Sequence, residues 1–234
     1  MGVNTLSINN TALQNVYVDT SLSFNKPARN VEMINIPGRN GALVLDNGTF
    51  ENVVIPYPCY IKGNFDRVFN SLVNTLGSYK GYQRITCSND ATHFRLGRVI
   101  IPQSPTVKRL NDKGFFDLSF DCKPQRFLLT GESTTDLTAS GTITNPTNFD
   151  ALPLLRVYGN GKITVNGVEI TLANNTGYTD IDCEMQDCFY GSTNRNNNVS
   201  FSGNDFPKLK PGSNTITFGT GITRCIITPR WWEL

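Results

Sequence analysis

Only one stretch of this 234-residue chain carries apolar residues at helical spacing, and that restricts it to a fold built mainly of strands. In "NFDRVFNSLVNTLGS", Phe65, Val68, Phe69, Leu72, Val73 and Leu76 recur at i, i+3, i+4, i+7, i+8 and i+11, one apolar stripe along a helix. Asn64 is placed to cap the first turn and Gly77 to end the helix at C′. Elsewhere the period is shorter. "GFFDLSFDC" alternates Phe116, Leu118 and Phe120 against Asp117, Ser119 and Asp121, the pattern of a strand with one buried face. "LQNVYVDTSLSF", "QRITCS" and "HFRLGRVII" are strand-like too. So is "ALVLDNGTFENVVIPYPCYIKG", where Pro56 and Pro58 predict an edge or a bend.

A second, all-β region follows. "TGESTTDLTASGTITNPT" (130–147) is poor in large apolar residues, and we place a domain boundary near residue 131. Beyond it come "LPLLRVYGNGKITVNGVEITL", "YTDIDCEM", "NTITFG" and "RCIITPRW". Asn166-Gly167 suits a type I′ hairpin turn. The expected architecture is mainly β. Residues 1–130 form an N-terminal β-sandwich with one helix, and 131–234 form a second sandwich or jelly roll.

Charge and cysteines narrow the function. A net charge of +2 is not the clustered basic footprint of a nucleic-acid binder. Residues 1–130 hold 14 Lys and Arg against 9 Asp and Glu, and 131–234 hold 7 against 10. The halves thus differ in sign, as chance variation or two different partners would make them. No apolar run approaches the roughly 18 residues of a membrane span. "MGVNTLSINN" lacks the basic and apolar regions of a secretory signal. Cys59, Cys87, Cys122, Cys183, Cys188 and Cys225 lack metal or redox spacing, and six free thiols in a reducing cytosol are expected. If "YTDIDCEM" runs on as one strand, Cys183 and Cys188 face opposite sides.

No catalytic, cofactor or metal site is legible. The one histidine, His93, lies in strand-like "THFRLG" and reads as structural. Asp180, Asp182 and Glu184 would share a strand face near Asp187, which suits calcium or, more plainly, a solvated surface. "YGNGK" leads into a strand and so is not a phosphate loop. Trp231 and Trp232 would point to opposite sides of a strand, toward core and interface, or would stack on sugars.

The order of these segments resembles the distal tail protein (Dit) family of long-tailed, non-contractile bacteriophages. The similarity is carried by "INIPGRNGALVLDNGTFENVVIPY", "FDRVFNSLVNTL", "GFFDLSFDCKPQRFLLTGE", "TITNPTNFDALPLLRVYGNGKITVNGVEITL", "YTDIDCEMQDCFYG", "FPKLKPGSNTITF" and "IITPRWWEL", and it spans essentially the whole chain. It implies a structural protein of the virion tail tip, assembled in the host cytoplasm, not an enzyme and without a cofactor. Six copies would close a homo-hexameric ring through the first domain, with a galectin-like second domain outside. The ring would join the tail tube protein to the tail-associated tip protein, and in some members it anchors receptor-binding proteins. Neither nucleic acid nor membrane is an implied partner. Two turn signals, Pro37-Gly38 and Asn47-Gly48 (in "DNG"), flank an apolar strand, and there the resemblance also implies a belt, an excursion that embraces the neighbouring subunit, over residues 36–50. Its interface candidates are Ile36, Pro37, Gly38, Arg39, Asn40, Gly41, Leu43, Leu45 and Phe50, with Arg39 facing a neighbour's carboxylate. An ordinary internal hairpin is the plainer reading of that stretch. Two other classes stay open. One is a carbohydrate-binding module using Trp231 or Trp232, although residues 131–234 lack the histidine of galectin sugar sites. The other is a glycan hydrolase built on paired carboxylates.

Overall fold

The computed structural model describes residues 4–19, 24–101, 108–110, 113–203 and 205–234. The chain divides into two compact units, one reaching to Arg126 and taking in Leu234, the other Phe127–Glu233.

The first unit contains β1 (Asn4–Ile8), β2 (Thr11–Val18), β3 (Arg29–Asn35), β4 (Ala42–Phe50), β5 (Val53–Lys62), helix α1 (Phe65–Ser78), β6 (Gln83–Cys87), β7 (His93–Ile100), β8 (Lys108–Leu110) and β9 (Lys113–Leu128). The pairing order is β9-β5-β2-β1-β6-β7, and β7 pairs β9 again, so the sheet closes on itself; β8 also pairs β9. Alternation drives this closure. Phe116, Leu118, Phe120 and Cys122 of β9 point inward with Val53, Ile55, Tyr57, Cys59 and Ile61 of β5. The two prolines of β5 sit where the ladder tolerates them. Among the described residues β2 pairs β5 only at Cys59–Ile61, and just beyond it the Asp19 amide donates to the Pro58 carbonyl at 2.8 Å, so the missing amides of Pro56 and Pro58 break no described β2–β5 pair.

Helix α1 covers one side of this core. Asn64 caps it, its side chain accepting from the Arg67 amide at 3.1 Å. Its end differs from the expected one: the helix runs through Gly77 to Ser78, and Tyr79 is the C-cap. Phe65, Leu72 and Leu76 are buried. The Phe65 ring lies flat over Gly114, where a Cβ would collide with it, and meets Phe116 edge-on at 6.0 Å. Leu72 is 6% exposed, so Leu72→Ala should cost about 2–5 kcal/mol in chemical denaturation. A cost near zero would remove α1 from the core.

The second unit contains β10 (Thr135–Leu137), β11 (Gly141–Asn145), β12 (Leu154–Gly159), β13 (Gly161–Val165), β14 (Val168–Leu172), β15 (Tyr178–Asp182), β16 (Asp187–Tyr190), β17 (Thr193–Asn194), β18 (Val199–Phe201), β19 (Gly212–Phe218), β20 (Ile222–Thr228) and β21 (Trp232–Glu233). Two antiparallel sheets, β10-β20-β12-β15-β16-β17 and β11-β19-β13-β14-β18, sandwich a core. Leu155, Val157, Ile181, Cys225 and Ile227 come from one sheet, and Ile143, Ile163, Val165, Ile170 and Ile216 from the other. Asn166 (φ 47°) and Gly167 (φ 86°) make the expected β13–β14 turn.

"YGNGK" has a packing role here. The turns 159–161 and 219–221 interlock backbone to backbone. A Cβ on Gly159 would strike the Gly221 carbonyl, one on Gly161 that of Thr220, and one on Gly221 that of Asn160. Only glycine allows this approach at such φ values (+103°, +143° and +90°).

Candidate assembly interface

β3 and β4 form a two-stranded sheet that pairs with no other strand among the described residues. Every residue of β3 is exposed, and so is β4 apart from its two end residues. None belongs to the first unit's core. The register Val31–Asp46, Glu32–Leu45, Met33–Val44, Ile34–Leu43, Asn35–Ala42 defines two faces. One carries Val31, Met33 and Val44. The other carries Ile34, Leu43 and Leu45, with Glu32 among them and Ile36 just beyond. Met33 is 61% and Val44 55% exposed. A hairpin in water hides at most one apolar face on its own protein; this one hides neither.

The tip is a tight turn. The Arg39 amide donates to the Ile36 carbonyl at 3.1 Å, Pro37 takes the second position and Gly38 (φ 80°) the third, a type II turn. Asn40 and Gly41 (φ 79°) lead into β4. Arg39 is exposed and makes no ion pair among the described residues. The second turn signal resolves differently. Asp46-Asn47-Gly48 does not reverse the chain; it is a bulge within β4, where the register against β3 shifts. Asp46 accepts from the Gly48 amide (2.8 Å) and from Arg29 Nε (2.6 Å). Those bonds hold its carboxyl below the usual range, the Gly48 amide contributing most. Arg29 also lies 5.3 Å over the Phe50 ring at the base of the arm. The hairpin therefore begins at Arg29, not at Ile36. Val31, Met33, Ile34 and Val44 belong to its apolar set and were missed. Their signal was present: Leu43-Val44-Leu45 and Met33-Ile34 do not alternate, so both faces are apolar.

The other sequence candidates are placed as follows. Trp231 is 5% exposed in the second core, where it cannot stack on a sugar. Trp232 stacks on Phe149 at 4.4 Å and donates from Nε1 to the Asp150 carbonyl at 2.9 Å. "YTDIDCEM" is not one strand: β15 ends at Asp182 and the chain turns back into β16. Asp180 and Asp182 form neither a metal site nor a solvated face. Both are buried and gripped by two guanidinium hydrogen bonds each, Asp180 by Arg156 (2.7 and 2.9 Å) and Asp182 by Arg230 (2.8 and 2.8 Å). Burial opposes ionisation of Asp182. The Arg230 pair and the Met185 and Glu184 amides outweigh it and hold the carboxyl below its usual range. His93 Nδ1 lies 3.0 Å from Asp90, which Arg126 clasps at 2.6 and 2.8 Å. On the second unit Tyr158, Tyr178 and Tyr190 form a row with centroids 5.6 and 4.7 Å apart. Arg224, Arg156 and Arg195 lie over these rings, so the row is closed on itself.

All six cysteines are free and buried. Burial pushes the thiols of Cys59, Cys122, Cys188 and Cys225 up to about 12. Native protein at pH 8 should therefore react slowly with a thiol reagent, and all six should titrate in denaturant. Rapid native labelling, or fewer than six after unfolding, would contradict this.

No family model and no curated protein matches the sequence. Solved structures that share the fold include two from phage tails. The SPP1 Dit protein, a hub of the adsorption apparatus in phages that infect Gram-positive bacteria, superposes with a TM-score of 0.67 over 100% of both chains at 17% identity. A chain of the phage P2 baseplate, in its activated conformation with calcium, gives 0.54 over 97% of each at 10% identity. Along its whole length, this chain has the fold of the phage distal tail proteins.

Proposed function

We propose that this chain is a structural hub of a phage tail tip, a member of the distal tail protein family. Copies close into a six-membered ring through the first unit, with the second unit outside. The ring joins the tail tube to the tail-associated tip protein and offers a mount for receptor-binding proteins. Assembly takes place in the host cytoplasm, which suits six free thiols. The role is architectural, not catalytic.

The observation that carries this reading is the arm at Arg29–Phe50, apolar on both faces and covered on neither. A neighbouring copy would bury both, through the head-to-tail contact that builds a ring. The fold shared over the full chain with a hub protein supports the same reading. Light scattering with negative-stain imaging tests it. A six-fold ring is expected. A monomer of 25.9 kDa at every concentration would overturn it.

A further inference from the structure

A head-to-tail ring needs two different surfaces on each chain, and the arm is one of them. The second should lie away from the arm's root and match its chemistry. The arm joins the first unit at the start of β5, where β4 ends at Phe50 and β5 begins at Val53. At the other end of β5, about 33 Å along a ten-residue strand, a groove of about 690 Å³ opens between the start of β2 and helix α1. Leu13, Val68, Leu72 and Tyr79 form its apolar part. Lys62 and Arg67 stand on its wall, and no carboxylate lines it. Neither cation forms an ion pair among the described residues.

The two faces of the arm differ in charge. On the face with Val31, Met33 and Val44 the carboxylate is Asp46, already held by Arg29 at 2.6 Å. On the face with Ile34, Leu43 and Leu45 it is Glu32, exposed opposite Leu45 and in no ion pair among the described residues. An apolar strip with one free carboxylate thus answers an apolar groove with two free cations.

We propose that the Glu32–Ile34–Leu43–Leu45 face of one copy's arm seats in the α1 groove of the next copy, with Glu32 against Lys62 and Arg67. The proposal rests on the ring reading above. Placing root and receptor at opposite ends of β5 gives each chain a donor end and an acceptor end.

The test is charge reversal read by light scattering, with circular dichroism to confirm folding. Lys62→Glu with Arg67→Glu should reduce the ring to single chains, and adding Glu32→Lys should restore it. If the groove variant stays a ring while removal of the arm abolishes rings, the arm reading stands and this receiving site is wrong. A folded groove variant that is monomeric and not rescued by Glu32→Lys also overturns the pairing. If Val54→Glu or Ile100→Glu dissolves the ring and groove reversal does not, the receiving surface is built on those exposed apolar residues instead. Rings that survive removal of the arm would sink the arm reading and this inference together.

Discussion

Replacing residues 32–45 with a short Gly-Ser turn should leave a folded chain that no longer assembles. The deleted residues contribute nothing to the first unit's core, which is built from β1, β2, β5, β6, β9 and α1. Circular dichroism and the unfolding midpoint should hardly change. The particle, by contrast, should fall to the mass of one chain, 25.9 kDa. The size of the effect follows from area. Each large apolar side chain contributes about 1.5–3 kcal/mol when fully covered, and the deletion removes Met33, Ile34, Ile36, Leu43, Val44 and Leu45 at once. A charge at the tip acts more gently. Arg39→Glu should weaken assembly most at 0.01 M salt, where the screening length is about 30 Å, and less at 0.1 M, where it is about 10 Å. Rings formed without the arm would refute its role. Unfolding of the truncated chain would mean that the hairpin stabilises its own unit.

Arg230→Met should destabilise the second unit by about 3–5 kcal/mol at pH 7, because it strands the buried Asp182 carboxylate without its cation. The chain's two tryptophans, Trp231 and Trp232, both lie in that unit, so their fluorescence in urea reports on it selectively. The pH dependence identifies the cause. In the folded chain the Asp182 carboxyl titrates below the ordinary aspartate value of about 3.9, so its stabilisation is fully present above that value and is lost as pH falls through the lower, folded one. Wild type should therefore lose stability below about pH 4. The variant's deficit should shrink over the same window, since a protonated Asp182 needs no partner. A deficit constant with pH would show that the loss is packing, not charge.

What was legible in the sequence depended on how local its cause was. The α1 stripe, the Asn64 cap, the β9 alternation and the Asn166-Gly167 turn are each set by residues within a few positions, and each forms. The prolines of β5 were harder, since an edge can exist along only part of a strand. Asp46-Asn47-Gly48 was misread because the same short side chain and positive-φ glycine serve a turn or a bulge, and only the opposite strand decides which. Asp182 was misread because its arginine is 48 residues away. The arm itself was half visible. Leu43 and Leu45 stood out, but β3 did not, because a strand apolar on both faces has no alternation to detect.

The two glycine turns that interlock in the second unit set a limit on sequence change that the cores do not share. Where a core side chain shrinks, a neighbour can grow to refill the space. Between residues 159–161 and 219–221 the contact is main chain against main chain. A methyl group on Gly221 meets the Asn160 carbonyl, and no replacement at position 160 moves that oxygen. Damage there has no second-site cure by side-chain exchange. Suppressors of a Gly221→Ala defect should come only from changes in turn length or from added stability elsewhere in the unit.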